Sequence, residues 1–373
     1  MKAFIQIENA LSSETAKSSS AILSGERSMT ENVNMHKIAK MAGVSLGTVS
    51  NVINGSVPVS EKLRERVLDA VDKLGYQPSA LARGLRRKAS NMIGMIIPDI
   101  TNPFFPAIVR GVEDITYRQT YQLVLGNSDN DPRKELWYLT QLRTFRPAGF
   151  IIIPAHSTKL LQQVTRSGPP FVFVDRCPDG WHGDSVMASN EQGAYEATKY
   201  LLGKGHRRVA AIIGPTDIGI SLDRRAGFLR ALKEARVAIA SEYVQEGHFT
   251  RDSGYSCMLR LLSLVPRPTA VFTANDLMGV GAIEALREAG LRCPADVSIC
   301  SFDNLDMAQF TEPSLTSVHQ PGYQMGVTAA QLLLDRIAGS SSAPRNVVLP
   351  TELKVRNSVI PLPQRAERKR SRR

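Results

Sequence analysis

The sequence predicts an all-α N-terminal helix-turn-helix headpiece with a hinge helix, followed by a two-lobed α/β body with doubly wound parallel sheets. Three observations predict this fold class. Two short helical segments flank a glycine turn near residue 43. Continuous apolar runs then alternate with segments of helical period, which is typical of parallel strands buried on both faces. The net positive charge is confined to the first module and to the tail.

Residues 34–54 predict two short helices around a tight turn, because apolar residues recur at helical spacing on either side of it. Gly43 suits the left-handed position that ends the first helix, and Ser45 can cap the second. The second helix is predicted to expose a small, polar and uncharged face made of Gly47, Ser50, Asn51 and Asn54. Such a face suits contact with base edges in a major groove. An ordinary surface helical hairpin is the alternative.

A third helix is predicted to start after Ser60, which would cap it, and to stop at Gly75. The short run Ser79–Leu85 follows it. Pro78 before this run and Gly84 inside it make it a poor free-standing helix. We therefore expect a hinge that folds when two copies pair on DNA.

Several motifs of this region occur together, in one order and spacing. They are A-G-V-S at 42–45, T-V-S at 48–50, V-I-N-G at 52–55 and G-Y-x-P-x-A-x-A-R-x-L at 75–85. On these residues the segment resembles the headpiece and hinge of the lactose/galactose-repressor (LacI/GalR) family. The resemblance implies a sequence-specific transcriptional regulator of the repressor class that binds a near-palindromic DNA operator as a homodimer. A small molecule would control its operator affinity.

The expected DNA-contacting residues follow from this pattern and resemblance. They are Asn34, Ser45, Leu46, Gly47, Thr48, Ser50, Asn51, Asn54, Ser60, Tyr76, Ser79, Arg83 and Leu85. Leu85 would press into the minor groove as an apolar wedge, unstack a base step and kink the duplex. Packing between domains is the alternative role for this leucine. Arg83 and the basic cluster at 86–88 would neutralise nearby phosphates.

One headpiece residue departs from many relatives of this family. Asn51 stands where they carry an arginine that pairs with guanine. Asparagine instead favours adenine, through the N6 and N7 atoms of the base. With Leu46 and Gly47 at the start of the helix, the half-site should differ from those of lactose-type members.

The distribution of charge supports a nucleic-acid-binding module joined to a neutral body. Of the formal net charge of +11, residues 34–91 carry +6, with ten basic residues against four acidic ones. The tail from residue 361 carries +5, with six basic residues against one acidic residue. The rest of the chain therefore sums to zero. A basic DNA module beside a neutral sensor is the expected electrostatic footprint.

The body is predicted to be a run of βα units. Its strand-like runs are residues 93–97, 123–125, 150–153, 171–174, 209–213, 270–273 and 297–301. Polar residues follow most of these strands, and ligands of parallel sheets bind beyond the carboxyl ends of the strands. Turn chemistry is the alternative for any one of them, because Asp and Asn are common after strands. Two lobes whose carboxyl ends face each other would place these groups around one cleft.

The resemblance extends over this body, on D-x-x-N-P-F-F at 99–105, R-R-A-G-F at 224–228, A-N-D at 274–276, S-F-D-N at 301–304 and L-T-x-x-x-Q-P at 315–321. It implies a domain similar to periplasmic sugar-binding proteins. By this likeness the effector-binding residues would be Phe104, Asp175, Arg224, Phe249, Asn275, Asp303 and Gln320. The Phe249 ring would lie against the apolar face of the effector.

A second difference from relatives of this family narrows the expected class of effector. Ile218 and Ile220 stand where purine-sensing relatives carry polar or basic contacts. A sugar, sugar acid or polyol is therefore expected rather than a purine. Closing of the cleft would change the spacing of the two hinges in a dimer, and about 1–3 kcal/mol of coupling is typical of such control. Induction and co-repression both remain open.

The expected domains are a disordered extension (1–33), the headpiece (34–78), the hinge and linker (79–91), the body (92–360) and a basic disordered tail (361–373). Met29 is an alternative start. Within the body, the N-lobe would comprise residues 92–189 and 321–345, and the C-lobe residues 190–320 and 346–360. The tail lacks leucine heptads, which argues against a helical tetramerisation bundle, and contact with phosphates is its expected role.

Other features predict a bacterial cytoplasmic protein without a cofactor. The four cysteines lack a C-x-x-C pair and are expected to be buried free thiols. No histidines pair at metal-ligand spacing, so no structural metal is expected. No stretch approaches a membrane span or a signal-peptide core.

Two other classes of protein are rejected. Gly279-Val280-Gly281-x-x-Glu284 resembles a dinucleotide loop, but the third glycine and a suitably spaced acidic residue are missing. No phosphate loop, nucleophile elbow or metal cluster supports an enzyme either. A transport-type solute-binding protein would explain the body but not the headpiece or the missing signal peptide.

Overall fold

The computed structural model describes residues 34–54, 57–76, 90–155, 168–178 and 180–362. The chain forms two compact units, one ending at residue 83 and the other beginning at residue 84. The first unit is the headpiece, and the second is the body. The predicted extension, the run 79–85 and the tail beyond residue 362 lie outside the described residues.

The headpiece consists of three helices: α1 (Met35–Ala42), α2 (Leu46–Asn54) and α3 (Glu61–Leu74). The apolar faces predicted for these helices meet in one small core. Its buried side chains are Ile38, Ala42, Val49, Val67 and Ala70. Arg66 of α3 donates to the carbonyl oxygen of Ala42 at 2.5 Å, so α3 also supports the end of α1.

The predicted helix ends are confirmed with one exception. Gly43 and Gly75 both have φ of 60° and end α1 and α3 in the left-handed conformation. The Oγ of Ser45 accepts a hydrogen bond from the N–H of Thr48 at 3.1 Å at the start of α2. Ser60 occupies the cap position of α3, but its side chain makes no capping bond. Because Ser60 is exposed, water can satisfy the first N–H groups of α3.

The N-lobe of the body is a six-stranded parallel sheet in the order β11-β5-β4-β3-β1-β2. Its strands are β1 (Met92–Ile97), β2 (Gln122–Asn127), β3 (Gly149–Ile152), β4 (Phe171–Val174), β5 (Asp184–Ala188) and β11 (Asn346–Leu349). The helices that cover it are α4 (Phe104–Arg118), α5 (Pro132–Thr144) and α10 (Gly322–Ile337). Both faces of the central strands are buried, as continuous apolar runs predict.

The C-lobe is a second six-stranded sheet in the order β12-β10-β9-β8-β6-β7, in which only β12 runs antiparallel. Its strands are β6 (Val209–Ile213), β7 (Val244–Glu246), β8 (Ala270–Thr273), β9 (Ser298–Asp303), β10 (Thr316–His319) and β12 (Glu352–Lys354). Its helices are α6 (Asn190–Gly203), α7 (Gly219–Glu234), α8 (Arg251–Leu262) and α9 (Asp276–Glu288). Two short 3₁₀ turns lie at Ser241–Tyr243 and Asp306–Gln309.

The chain crosses between the lobes three times. The crossings lie between β5 and α6, between β10 and α10, and between β11 and β12. The prediction that residues 346–360 all belong to the C-lobe is therefore wrong at its start. Residues 346–349 pair with Ser185–Ala188 of the N-lobe, and Val347 and Leu349 pack against the N-lobe core. Pairing with β5 and partial burial of these two side chains hold the segment on that side.

The structure also bears on the expectations for the cysteines and for membrane-spanning helices. Cys257 and Cys300 are buried free thiols, as predicted. Cys177 and Cys293 are also thiols outside any disulfide, but they are only half-buried, because each lies in a loop rather than within a strand or helix. Among the helices of the described residues, none is long and apolar enough to span a bilayer.

Candidate effector cleft and DNA-binding headpiece

Helix α2 presents part of the predicted recognition surface to solvent. Ser45, Leu46 and Gly47 are exposed, and Thr48 and Asn51 are half-buried. Exposed small residues at the start of the second helix of a helix-turn-helix leave room for base edges. The start of α2 is therefore sterically suited to enter a major groove.

The predicted outward face of α2 is wrong for Ser50, which is only 8% exposed. This residue directly follows the fully buried Val49, and its small side chain is covered by the packing around that position. Among the other candidates, Asn34 caps α1 by accepting from the N–H of Lys37 at 3.1 Å. Tyr76 is half-buried and packs against the headpiece core.

Several DNA-contact predictions fall beyond what the structure describes. Asn54 is the last residue of α2, but its side chain is not among the described atoms. Ser79, Arg83 and Leu85 lie outside the described residues. Their roles in the hinge stay predictions.

The body contains a cleft of about 500 Å³ between its two lobes, at the carboxyl ends of the strands. The seven predicted effector residues all line it, although they come from seven separate points of the sequence. Thirteen further residues complete the lining: Asp99, Asn102, Phe105, Asn130, Arg176, Pro215, Thr216, Asp217, Ile218, Ile220, Glu246, His248 and Thr250. The cleft has the size and position of a small-molecule site.

Arg224, from the second turn of α7, is the most deeply placed cation of the cleft, with 2% of its surface exposed. Its Nε donates to Asn190 Oδ1 at 2.9 Å, and Nη1 donates to the carbonyl oxygen of Ala274 at 2.5 Å. The same Nη1 lies 3.7 Å from Asp303 Oδ1. Its guanidinium lies 3.9 Å from the centre of the Phe302 ring. Arg224 is therefore held by the protein before any ligand enters.

Asp303 and Gln320 form a second polar group of the cleft, at the ends of β9 and β10. Gln320 Nε2 donates to Asp303 Oδ1 at 2.6 Å, and the two backbones are joined by a hydrogen bond of 3.2 Å. Burial raises the pKa of Asp303 to about 8, although the Arg224 guanidinium and the Gln320 hydrogen bond oppose this rise. Burial likewise raises the pKa of Asp175, against the nearby charges of Arg176 and Arg224.

Three buried polar atoms of the lining make no hydrogen bond within the described protein. They are Asp175 Oδ1, Arg176 Nε and Gln320 Oε1. A buried polar atom without a partner costs about 1–3 kcal/mol, so such atoms call for a ligand or water. Two of them accept hydrogen bonds and one donates. Hydroxyl groups, which both donate and accept, match this set.

Backbone conformation also sets these residues apart. Asp175, Phe249 and Asp303 have φ of 63°, 59° and 104°, values that non-glycine residues rarely adopt. Such conformations cluster at ligand sites, where the surrounding structure enforces them. Three of the seven predicted effector residues therefore share a feature that the sequence did not reveal.

The apolar part of the cleft is formed by aromatic and branched side chains. Phe104 and Phe105 open α4 and meet edge to face, with ring centres 5.4 Å apart. Phe249 lies on the C-lobe side, and Ile218 and Ile220 sit at the start of α7. Apolar walls around a few convergent polar groups are typical of a small-molecule site.

Arg176 is the main cleft residue outside the predicted set. Its Nη1 donates to Asn130 Oδ1 and to the carbonyl oxygens of Pro154 and Ala155. The position directly after Asp175 was the only available signal in the sequence, and an arginine in a turn is usually exposed. No group of metal-ligating side chains occurs among the residues described in the headpiece and body.

Comparison with known proteins identifies both units. Residues 34–79 match the model for "Bacterial regulatory proteins, lacI family", and residues 198–359 match the periplasmic binding protein-like domain. The chain is 37% identical over 324 residues to the HTH-type transcriptional repressor PurR of Vibrio vulnificus (strain CMCP6), with 86% of this chain and 97% of the relative covered.

Two solved structures extend the likeness to three dimensions. A transcriptional regulator CelR–cellobiose complex is 34% identical with a TM-score of 0.68, covering 88% of this chain and 100% of the other. The lac repressor dimer bound to operator and the anti-inducer ONPF is 27% identical with a TM-score of 0.80, covering 88% and 99%. This chain therefore belongs to the LacI family of bacterial regulatory proteins, and it is a DNA-binding transcriptional repressor rather than an enzyme.

Proposed function

We propose that this repressor is controlled by a neutral sugar or polyol bound in the cleft between the lobes. The observation that carries the proposal is the set of three buried atoms that make no hydrogen bond within the described protein, Asp175 Oδ1, Arg176 Nε and Gln320 Oε1. One hydroxylated ring could satisfy all three while one of its faces packs against Phe249. A cellobiose complex among the similar solved structures agrees with this class of effector.

The charges of the cleft favour a neutral sugar over a sugar acid. Five carboxyl groups line it against two guanidinium groups. Both guanidinium groups already donate to protein oxygens, Arg224 to Asn190 and Ala274 and Arg176 to Asn130 and two carbonyls. An anionic ligand would enter a site in which carboxyl groups outnumber guanidinium groups. Arg176 Nε is a donor there that makes no hydrogen bond within the protein, so desolvation of the anion would be only partly compensated.

A purine base is the second candidate, because Phe104 and Phe249 both line the cleft and aromatic rings can stack on a planar base. The isoleucines at 218 and 220 argue against it, since they offer no hydrogen bond to the edge of a base. We expect neutral sugars to raise the melting temperature of the protein in a ligand screen, and purine bases and sugar acids to leave it unchanged.

The screen has a direct control. A ligand at about 100 times its Kd adds about 2.7 kcal/mol to the free energy of unfolding, which is a readily measured shift. Asp175→Asn should abolish the response, whereas Asp252→Asn, at a 93% exposed side chain, should keep it. If only purine bases raise the melting temperature, the effector is a purine rather than a sugar. A response to sugar acids alone would contradict the argument from charge.

We also propose that the operator is nearly palindromic, that a homodimer binds it in the bacterial cytoplasm and that Asn51 reads adenine. Asn51 lies in α2, the second helix of the helix-turn-helix, and the similar lac repressor structure is a dimer on its operator. Selection of random duplexes by the full-length protein tests this. A near-palindrome with adenine at the positions facing α2 is the expected result, and Asn51→Ala should relax the preference at those positions. Unrelated survivors without a common motif would overturn it.

A further inference from the structure

Five basic side chains gather at the end of the C-lobe opposite the cleft. Lys204, Arg207 and Arg208 precede β6, Arg267 precedes β8, and Arg292 precedes β9. Because these strands are parallel, their starts lie at one edge of the sheet. Two hydrogen bonds link the segments before β6 and β8. Arg208 Nε donates to the carbonyl oxygen of Arg267 at 2.9 Å, and the N–H of Thr269 donates to the carbonyl oxygen of Arg208 at 2.8 Å. We call these five residues the basal patch.

The charge of the basal patch is largely uncompensated. Four of its five side chains are exposed, and Lys204 is half-buried. Among the described residues, only Arg292 has a carboxylate partner, with its Nε 3.3 Å from Asp296. Hydrogen bonds from Arg292 hold the pKa of Asp296 below its usual value, and the charge of Arg267 contributes to this lowering. The charge of Arg267 therefore acts on Asp296, although Arg267 forms no ion pair with it.

The basic tail begins beside the same patch. The N–H of Leu362 donates to the carbonyl oxygen of Lys204 at 2.8 Å. The sequence beyond Leu362 carries six basic residues against one acidic residue. Two sets of positive charge that are far apart in the sequence therefore start from one end of the C-lobe.

The chemistry of the basal patch suits a long polyanion. Its charges are spread over three loops, and the cleft between the lobes includes none of its residues. A small anion would need a pocket of convergent donors, whereas a phosphate backbone is contacted by separate exposed cations. We propose that the basal patch binds the phosphates of a second DNA duplex without reading its bases. A repressor on its operator could then hold another stretch of DNA.

The experiment separates this contact from the headpiece. Operator duplex recovered from the random selection is fixed to beads in excess and loaded with full-length protein, and a fluorescent duplex of random sequence is then added at low salt. We expect the wild type to retain the fluorescent duplex. Arg267→Gln/Arg292→Gln should reduce retention about tenfold. Loss of the protein itself from the beads would instead report a failure of operator binding.

A matched control removes the same charge from the carboxyl-end side of the two sheets, which is the side of the cleft. Arg133→Gln/Arg225→Gln alters exposed side chains at the starts of α5 and α7 and should retain the second duplex like the wild type. Binding of the random duplex should also lose about 0.9 of its logarithmic salt slope for each phosphate contact removed, or about 1.8 for the basal double variant. Equal retention and equal slopes in the basal and control variants would overturn the proposal. So would a wild type that holds no second duplex.

Discussion

Asn275 connects two parts of the cleft wall through one side chain. Its Oδ1 accepts from the N–H of Met278 at 2.9 Å and caps α9, while its Nδ2 donates to the carbonyl oxygen of Phe249 at 2.9 Å. The backbone of Phe249 is left-handed, which costs about 1–3 kcal/mol for a bulky residue. The hydrogen bond from Asn275 therefore helps to hold the aromatic ring where a ligand would meet it.

Replacing Asn275 separates these two roles. Asn275→Ser keeps a capping oxygen but has no amide to donate to Phe249, whereas Asn275→Ala loses both bonds. We expect the serine variant to be about 1 kcal/mol more stable than the alanine variant, because it keeps the cap. Both should lose affinity for the effector to a similar extent. Urea unfolding and calorimetric titration measure the two effects, and full affinity in the serine variant would show that the bond to Phe249 does not matter.

Asp303 makes stability depend on pH. Its pKa is about 8 in the folded protein and about 3.9 in an unfolded chain, so the folded state binds the extra proton between these values. The stabilisation is complete below about pH 4 and is lost as the pH rises towards about 8. Asp303→Asn removes the titrating group, so the free energy of unfolding of the variant should change less between about pH 6 and about pH 8 than that of the wild type.

The test is urea unfolding of both proteins at about pH 6 and about pH 8, with Asp252→Asn as the exposed control. The wild type should lose more stability than Asp303→Asn over this range. Part of the slope should persist in the variant, because burial also raises the pKa of Glu135 to about 7 and that of Asp276 to about 6. If the stability of the wild type and that of Asp303→Asn fall equally over this range, a group other than Asp303 causes the pH dependence.

At the scale of single residues, the sequence predicted the cleft only through family motifs. Asp303 and Asn275 stand in recognisable runs, so their positions could be carried over. Arg176 lacks such a run, and its burial depends on Asn130 and on a strand end more than twenty residues away in sequence. The burial of Ser50 was missed for a related reason. The helical period of α2 gives the direction of each side chain but not what covers it.

At the scale of elements, three helix pairs are packed through glycine. Gly227 of α7 faces the backbone of α6, Gly281 of α9 faces that of α8, and Gly111 of α4 faces that of α10. A side chain at Gly281 would overlap the carbonyl oxygen of Arg251. Three residues after it, Glu284 accepts from Arg251 Nη2 at 2.5 Å. Of the residues that resemble a dinucleotide loop in the sequence, Gly281 and Glu284 therefore serve helix packing, whereas Gly279 faces side chains of β8 and β9.

Alanine at these glycines should separate the helices. Gly281→Ala improves helix propensity by about 1 kcal/mol, but its methyl group overlaps backbone that cannot move aside, as overpacked cores do at a cost of about 1–3 kcal/mol. We expect a net loss of stability in urea unfolding. Gly203→Ala is the control, because that glycine ends α6 with open space around its Cα. A Gly281→Ala protein as stable as the Gly203→Ala protein would mean that the pair adjusts at no cost.

Strand prediction succeeded for the continuous apolar runs, and it missed strands β5, β7, β10, β11 and β12, which are not marked by such runs. The central strands are continuous apolar runs, which fix both their type and their buried position. The edge strands β7, β11 and β12 have three or four residues and are partly exposed, so they give no clear period. The lobe to which β11 belongs depends on its pairing with β5, which is a contact between distant segments.

At the scale of the whole body, one turn of the C-lobe reaches into the N-lobe. Leu305 is 7% exposed and belongs to the apolar cluster formed otherwise by N-lobe residues, with Leu277 and Met307 packed beside it. Asp276 anchors this turn, because its Oδ2 accepts from the N–H of Leu305 at 2.7 Å and its Oδ1 from Ser317 Oγ at 2.6 Å. Asp303 stands two residues before Leu305 and faces the cleft.

A change at Asp303 is therefore two residues from an apolar contact with the other lobe. Such a short connection can carry a small displacement in the cleft to the N-lobe, because packed contacts have few alternative arrangements. The path does not depend on the identity of the effector. It predicts that weakening the contact at Leu305 loosens the N-lobe even in the free protein.

Leu305→Ala tests this connection against a closely matched leucine. Leu202 has the same exposure of 7%, but it lies entirely within the C-lobe core. We expect Leu305→Ala to raise amide hydrogen exchange about tenfold in the N-lobe helices α4 and α10, because loss of buried contacts increases local opening. Leu202→Ala should raise exchange in the C-lobe alone. If both variants raise exchange only in the C-lobe, the turn packs against the N-lobe without coupling to it. The route for the effector signal must then lie in the three segments that cross between the lobes.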